Sequence, residues 1–438
     1  MILACVRNWR FGGYCIRGDL QTHSPYWLGS LPNPVEKPRT MPAAAEPAVY
    51  HYRRIVACCQ LGMFIQAMVI NMTPLLFIPL REAFGLTFEQ IGRLVLINFI
   101  TQMIVDLICA ALGNRLPIKT LVVAANLMAA LGLVLFARAP FFLENPYAGL
   151  VAGTVLFSVG CGLLEVLLSP LIHAVPSERK SADMAMLHAF YPIGKVVVIV
   201  ITGLALWLGG LDWWPWITIA WALVPLANTL AFAFLRLPPL GASDQAHSLR
   251  KLAGGRPLYL LLAAMLLAGA VELTLAQWTS AYVQTALGYS KLVADLVGFG
   301  LFGLGMIGGR LWFGLREGHI DLPRVLRSSA WLSIAVCGVL ALSPWPWVAL
   351  VACVVAGGAV SMLWPGVLSM SAARFPLAGA GLFALLAAAG DAGGGLMPWL
   401  AGVVADYASD GLRTAFLVLA VCPAMLLLVL RALRARRA

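Results

Sequence analysis

Apolar runs of roughly 18 residues or more recur almost from end to end of this 438-residue chain. At 1.5 Å per residue such a run crosses the ~30 Å hydrocarbon core of a bilayer as one helix, whereas a helix of a soluble protein needs only one apolar stripe. Charged residues make up 11% of the sequence and apolar residues 61%, where a soluble domain carries roughly one charged residue in four. A water-soluble fold is therefore excluded. Lipid offers no partner for backbone N–H and C=O groups, so each crossing must bond internally as a helix. The expected fold class is all-α, a polytopic membrane protein with transmembrane helices at 55–80, 90–113, 118–139, 147–174, 184–208, 213–236, 257–284, 291–315, 325–343, 345–373, 376–404 and 412–432. That makes twelve.

A formal charge of +11 raises the question of a nucleic-acid partner, which the location of the basic residues answers. With both termini in the cytoplasm, 24 of the 30 Lys and Arg fall in the tails and the loops on that side. Only Arg81, Arg138, Lys291 and Arg413 fall clearly outside, with Arg93 and Lys195 inside helices. This is the positive-inside pattern of a protein of the cell inner or plasma membrane, and it accounts for the charge with the lipid bilayer as partner and no nucleic acid. The nine cysteines form no CxxC pair, and Cys58, Cys59, Cys109, Cys161, Cys337, Cys353 and Cys422 lie in apolar runs, where a thiol acts as a small hydrophobe. Neither a metal nor a disulfide framework is expected.

Residues 1–54 read as a disordered cytoplasmic tail without a signal peptide, and Met41, just before a short polar lead into the first helix, as the natural start. The longest internal polar segment, with Pro, Gly and basic residues, makes 237–256 a cytoplasmic linker between six-helix bundles at 55–236 and 257–432, with a basic tail at 433–438. Gly113 to Lys119 after the second span and Gly309–Arg310 to Arg316 after the eighth match weakly, as in transporters built from repeated halves with the substrate site between them near the midplane.

Several segments carry a family resemblance. Gly160-Cys161-Gly162-Leu163-Leu164-Glu165 followed by Ser169-Pro170 in the fourth span, Leu187-His188-Ala189-Phe190-Tyr191-Pro192-Ile193-Gly194 in the fifth, Glu272 to Gln277-Trp278 in the seventh and Gly390-Asp391-Ala392-Gly393-Gly394 in the eleventh resemble the major facilitator superfamily. Within it they are similar to the fucose-permease-like sugar:proton symporters. The resemblance covers about residues 50–430 and implies two pseudo-symmetric six-helix bundles whose first, fourth, seventh and tenth spans line a cavity. Two positions depart from the family. Its acidic residue late in the first span falls at Thr73-Pro74, and the loop motif after the second span has Asn114 and Pro117 in place of Asp and Gly.

An ionisable group at a helix centre costs about 2.5–3.5 kcal/mol on insertion scales, so each needs a partner, water or a task. Asp106, Glu165, Lys195, Glu272 and Asp391 are the clear cases. Counting from the cytoplasmic ends puts Glu165 and Lys195 at similar depth on neighbouring helices, where they are expected to neutralise each other, as a substrate site or as a permanent ion pair. Glu272, Gln277 and Trp278 suit a polyol, with an indole over the sugar ring, although Trp278 equally suits an interfacial belt. His188 and Tyr191, three apart, extend the polar lining unless His188 is a satisfied core residue; Asn71, Gln66 and Trp364 are further binding candidates. Glu165, Lys195, Glu272 and Asp391 form the expected proton-coupling charge network. Asp106, Arg115 and Arg310 are expected as gates, with packing or positive-inside anchoring as the plainer alternative.

No GxxxxGK[ST] loop or HExxH motif is present, so no catalytic residue or cofactor is expected. The expectation is a monomeric secondary transporter importing a sugar or similar polar solute with protons. A proton-antiport exporter of amphipathic compounds is kept open by 14 Trp and 15 Met. A non-transporting membrane sensor or scaffold is the reading from another class.

Overall fold

The computed structural model describes residues 51–112, 117–176, 180–238, 255–314, 321–375 and 379–434. The expected start at Met41, the gating residue Arg115, most of the 237–256 linker and most of the basic tail lie outside these residues. Among the described residues twelve membrane-length helices follow one another: α1 (Tyr52–Phe84), α2 (Phe88–Leu112), α3 (Ile118–Arg138), α4 (Pro146–Ala174), α5 (Lys180–Gly209), α6 (Trp214–Phe234), α7 (Arg256–Thr285), α8 (Lys291–Phe313), α9 (Leu322–Leu342), α10 (Pro346–Arg374), α11 (Gly379–Tyr407) and α12 (Leu412–Leu433). Each falls within a few residues of an expected span. Eleven of them are long and apolar enough to cross a membrane.

Local sequence sets the breaks. Pro74 removes a donor inside α1, the helix is interrupted at Leu76, and Gly85 ends it with a left-handed φ of 64°. Asn145 caps α4, its Oδ1 accepting from the backbone N–H groups of Tyr147 and Ala148, with Pro146 in the first turn where no N–H is needed. The start of α8 winds as a π-helix over Ala294–Gly300.

One set of packed pairs joins α1 to α4, α5 and α6, α2 to α4, and α3 to α4 and α6. A second joins α7 to α8, α10, α11 and α12, α8 to α10, and α9 to α10 and α12. The sets meet through α2 with α11, α5 with α8 and α1 with α7. Adding six to each helix number turns α2–α11 into α8–α5, and α1–α7 into itself. The junction thus has the two-fold pattern of a repeated architecture.

An even number of crossings puts the start of α1 and the finish of α12 at one end, here the near end, and the α1–α2 turn at the far end. The far end is closed. There Trp278 of α7, with no exposed surface, packs against Phe77 of α1 and Phe88 of α2 at ring separations of 5.0 and 5.6 Å. Asp406 of α11 accepts from the Phe88 and Glu89 N–H groups that open α2, at 3.0 and 2.6 Å, and Trp399 Nε1 donates to Glu89 Oε1 at 2.7 Å.

Candidate functional site

Two groups of charged side chains among the described residues occupy the middle of the bundle. In the first, Asp106 on α2, Glu165 on α4 and Asp391 on α11 bring one carboxylate oxygen each to within 4.8 Å of one another. Asp106 and Asp391 are buried and Glu165 is half-buried. From a fourth helix, α1, Gln66 Nε2 donates to Glu165 Oε2 at 2.7 Å. Among the described residues Asp106 Oδ1 and Asp391 Oδ2 accept no hydrogen bond, and no basic group lies within 4.0 Å of any of the three acids. Two of these helices belong to the first packed set and one to the second, so the cluster exists only where the sets meet.

The second group centres on Glu272 of α7. Arg310 of α8 places Nη2 3.3 Å from Glu272 Oε1 while its Nε donates to the Ser361 carbonyl of α10 at 3.2 Å. The backbone N–H of Trp364 faces the same carboxylate, and Glu272 Oε2 accepts no bond from the described residues. Lys195 of α5 lies in the field of both Glu272 and Arg310. Its Nζ meets Met306 Sδ at 3.5 Å and stands 5.1 and 4.9 Å from the centres of the Phe299 and Phe302 rings of α8. Aromatic faces and a soft sulfur partly replace the water that a buried ammonium loses.

Tyr191, one turn before Lys195 on α5, links the groups: Glu165, Glu272 and Arg310 all act on it and the Asn71 side chain lies beside its hydroxyl. Trp364 lies against the backbone of Gly390, where a Cβ would come 2.4 Å from its ring, next to Asp391. The result is a polar centre assembled from α1, α2, α4, α5, α7, α8, α10 and α11. It can hold a hydrogen-bonding solute and positive charge side by side.

The Major Facilitator Superfamily sequence model matches residues 60–319, more than half of the chain. The chain belongs to the Major Facilitator Superfamily. Among curated proteins no sequence match is found. Solved structures of the superfamily fold superpose over nearly their whole length. The D-xylose-proton symporter matches with a TM-score of 0.73 at 14% identity, covering 86% of this chain and 97% of that one. The nucleoside transporter NupG gives 0.68 at 12%, covering 87% and 98%. A single-residue variant of the E. coli fucose:proton symporter FucP gives 0.61 at 18%, covering 87% and 99%. At these identities the likeness is one of fold. The chain is thus a multi-pass secondary transporter of the Major Facilitator type.

Gln66, Asn71, Glu165, Tyr191, Lys195, Glu272, Trp364 and Asp391 come together in the centre. The expected neutralisation of Glu165 by Lys195 does not form: among the described residues Lys195 has no carboxylate within 4.0 Å, and Glu165 is held by Gln66. The two do reach the middle of the bundle, but Lys195 sits on the side of α5 that faces α8. Asp106 and Arg310, expected at gates, extend into the carboxylate cluster and the Glu272 network. Trp278 is fully buried rather than in an interfacial belt, and its Nε1 donates to the Pro398 carbonyl at 2.9 Å inside the far-end closure. Gln277 is buried with Oε1 unpartnered among the described residues, and His188 is exposed.

Two features escaped the sequence reading. Asp295, fully buried in the π-helical turn, bonds Lys291 and accepts from Ser280 Oγ, against Gly203 of α5. The i,i+4 spacing of Lys291 and Asp295 was its signal. Asp406 gave none, because its partners are backbone groups some 300 residues away.

Proposed function

We propose that this chain imports a polyhydroxylated solute, a sugar or a nucleoside, by proton symport, as a fucose-permease-like member of the superfamily in a cell inner membrane with both termini cytoplasmic. The carrying observation is the convergence of Asp106 and Glu165 from one packed set with Asp391 from the other. Three carboxylates this close repel one another, and one bound proton relieves the repulsion. Rocking of the two sets against each other separates Asp391 from its partners and changes the affinity for that proton. Coupling of this kind needs the acid cluster on the moving seam.

The solute side follows from Glu272 Oε2 and Gln277 Oε1, two buried acceptors without donors among the described residues. A buried acceptor left unpaired is costly, and hydroxyl groups are donors of the kind it lacks. Arg310 and Tyr191 supply donors to ligand oxygens. The amphipathic-export reading is weakened by the tryptophans: Trp207, Trp213, Trp216, Trp331, Trp345 and Trp347 are exposed, as belt residues are, and none of them is among the residues that contact the two charged groups.

The test is uptake by proteoliposomes under an imposed inward proton gradient, with radiolabelled L-fucose, D-xylose and uridine offered in turn. Gradient-dependent uptake of one of them, abolished by Glu165→Gln and by Glu272→Gln, is the expected result. Uptake that ignores the gradient, or survives both substitutions, overturns the assignment.

A further inference from the structure

We propose that the solute is an acidic sugar, a polyhydroxylated molecule with one carboxylate, and that Lys195 selects it by pairing with that carboxylate. The inference rests on the transport reading for the place of the solute site and adds the charge of the solute. Glu272, Arg310 and Lys195 together bring two positive charges and one negative. The field of Glu272 reaches Lys195, but its carboxylate is in contact with Arg310. Among the described residues Lys195 has no carboxylate within 4.0 Å, and its Nζ bonds Met306 Sδ. An ammonium has three N–H donors, and a thioether is a weak acceptor for them. A charge in the middle of a membrane is costly unless an opposite charge or water reaches it, so Lys195, only 6% exposed, is short of an anion.

The face of α5 that carries Lys195 leads to the solute site. Met186, Ile193 and Val200 are exposed apolar positions along one side of the helix, the side that meets lipid. With about 3.6 residues per turn, His188, Tyr191 and Lys195 fall on the other side. Exposure declines along that inner face, from exposed His188 through half-buried Tyr191 to buried Lys195. A polar side chain exposed on the face turned away from lipid marks an opening from the near end, and Lys195 stands at its inner limit. Tyr191 and Lys195 both lie in the field of Glu272 and Arg310, so a solute on Glu272 is beside the ammonium.

The class of ligand follows from what surrounds Lys195. A bare inorganic anion is repelled by Glu272, whose Oε2 accepts no bond among the described residues and needs a donor. The hydroxyls of a sugar supply that donor, but a neutral sugar leaves Lys195 without an anion. A phosphate monoester brings a charge of about −1.5 to −2 at neutral pH, against one surplus positive charge here. Asp106, Glu165 and Asp391 on the other side of Tyr191 also oppose a second negative charge. A carboxylate brings one, and its charge-assisted hydrogen bond to an ammonium is roughly twice as strong as a neutral one. Between loads, the rings of Phe299 and Phe302, 5.1 and 4.9 Å from Nζ, hold the ammonium in place.

Binding is measured on the purified full chain in lipid nanodiscs with radiolabelled D-glucuronate, D-galacturonate and D-gluconate, each beside its neutral counterpart D-glucose, D-galactose or D-glucitol. Saturable binding of at least one acid is expected, with its neutral counterpart at least ten-fold weaker and glucose 6-phosphate a poorer competitor than either uronate. Lys195→Met lowers the affinity for the acid at least ten-fold and leaves that for the neutral counterpart within two-fold, so the preference disappears. Should the Met variant not run as a monodisperse species, Lys195→Gln serves instead, with the same expected result. No acid bound more tightly than its neutral counterpart, tighter binding of the phosphate, or a lysine variant that weakens acid and neutral sugar equally overturns the proposal. The assay involves no gradient. Acid binding without gradient-driven uptake sinks the transport reading alone, and gradient-driven uptake of a neutral sugar with no preference for its acid sinks this one alone.

Discussion

Arg310 and Glu272 meet at 3.3 Å between α8 and α7 while the same guanidinium holds the Ser361 carbonyl of α10, so one side chain ties three helices of the second packed set at the level of the solute site. Removing one member of a fully buried pair costs about 3–5 kcal/mol; the 37% exposure of the Arg310 side chain places its cost below that range. Arg310→Met is expected to lower the melting temperature and to reduce uptake at least ten-fold. Adding Glu272→Gln should restore most of the melting temperature and none of the uptake. Recovery of uptake in the double variant would show that the pair only holds helices together.

Asp406 closes the far end by capping α2 from the opposing set. Two backbone donors on one carboxylate make a charge-assisted cap, and both bonds must break for α2 and α11 to part. An N-cap is worth roughly 0.5–2 kcal/mol, and the exposed position of Asp406 argues for the lower part of that range. Asp406→Ala should therefore raise the far-open population a few-fold. Hydrogen exchange at the first turn of α2, over residues 88–92, is the readout, and it should speed up by the same factor. Unchanged exchange removes Asp406 from the closure.

The helices were legible because the bilayer imposes one coarse rule, length times hydropathy, that each apolar run either meets or fails. The site was legible in part for a related reason. Asp106, Glu165, Lys195, Glu272 and Asp391 stand out because charge is rare in lipid, whatever their neighbours. Their partners were not legible. Counting residues gives depth but not the direction a side chain takes around its helix, and that direction sends Lys195 to the α8 rings instead of Glu165. Trp278 shows the same limit, since an indole fits a sugar, a belt and a packed interface equally well until the neighbouring helices are in place.

Gly393 measures how tightly α11 lies on α7. A Cβ there would come 1.9 Å from the Leu266 carbonyl oxygen, which is backbone and cannot step aside, whereas one on Gly308 of α8 meets nothing within 4 Å. Overpacking costs typically about 1–3 kcal/mol. Gly393→Ala should lower the melting temperature by several degrees and displace Asp391, two residues away, so that uptake falls with stability. Gly308→Ala should change neither. Equal melting temperatures for the two variants would mean that α7 and α11 are farther apart in the membrane.

Trp278 separates closure from solute binding. It has no exposed surface, packs tilted against Phe77 and edge-to-face against Phe88 and donates to the Pro398 carbonyl, so it holds α1, α2, α7 and α11 together at the far end. Trp278→Phe keeps most of the packing and loses one hydrogen bond, worth about 0.5–1.5 kcal/mol. Trp278→Ala opens a cavity at a cost of about 3–5 kcal/mol. Because the indole is engaged by Phe77, Phe88 and the Pro398 carbonyl in the far-end closure, the Phe variant should leave the KM for uptake within two-fold of wild type and change the maximal rate, which reports the opening and closing of the far end. The Ala variant should melt earlier and leak. A ten-fold rise in KM for the Phe variant with an unchanged maximal rate would instead put Trp278 against the solute, and the far end could then no longer be regarded as a dry closure.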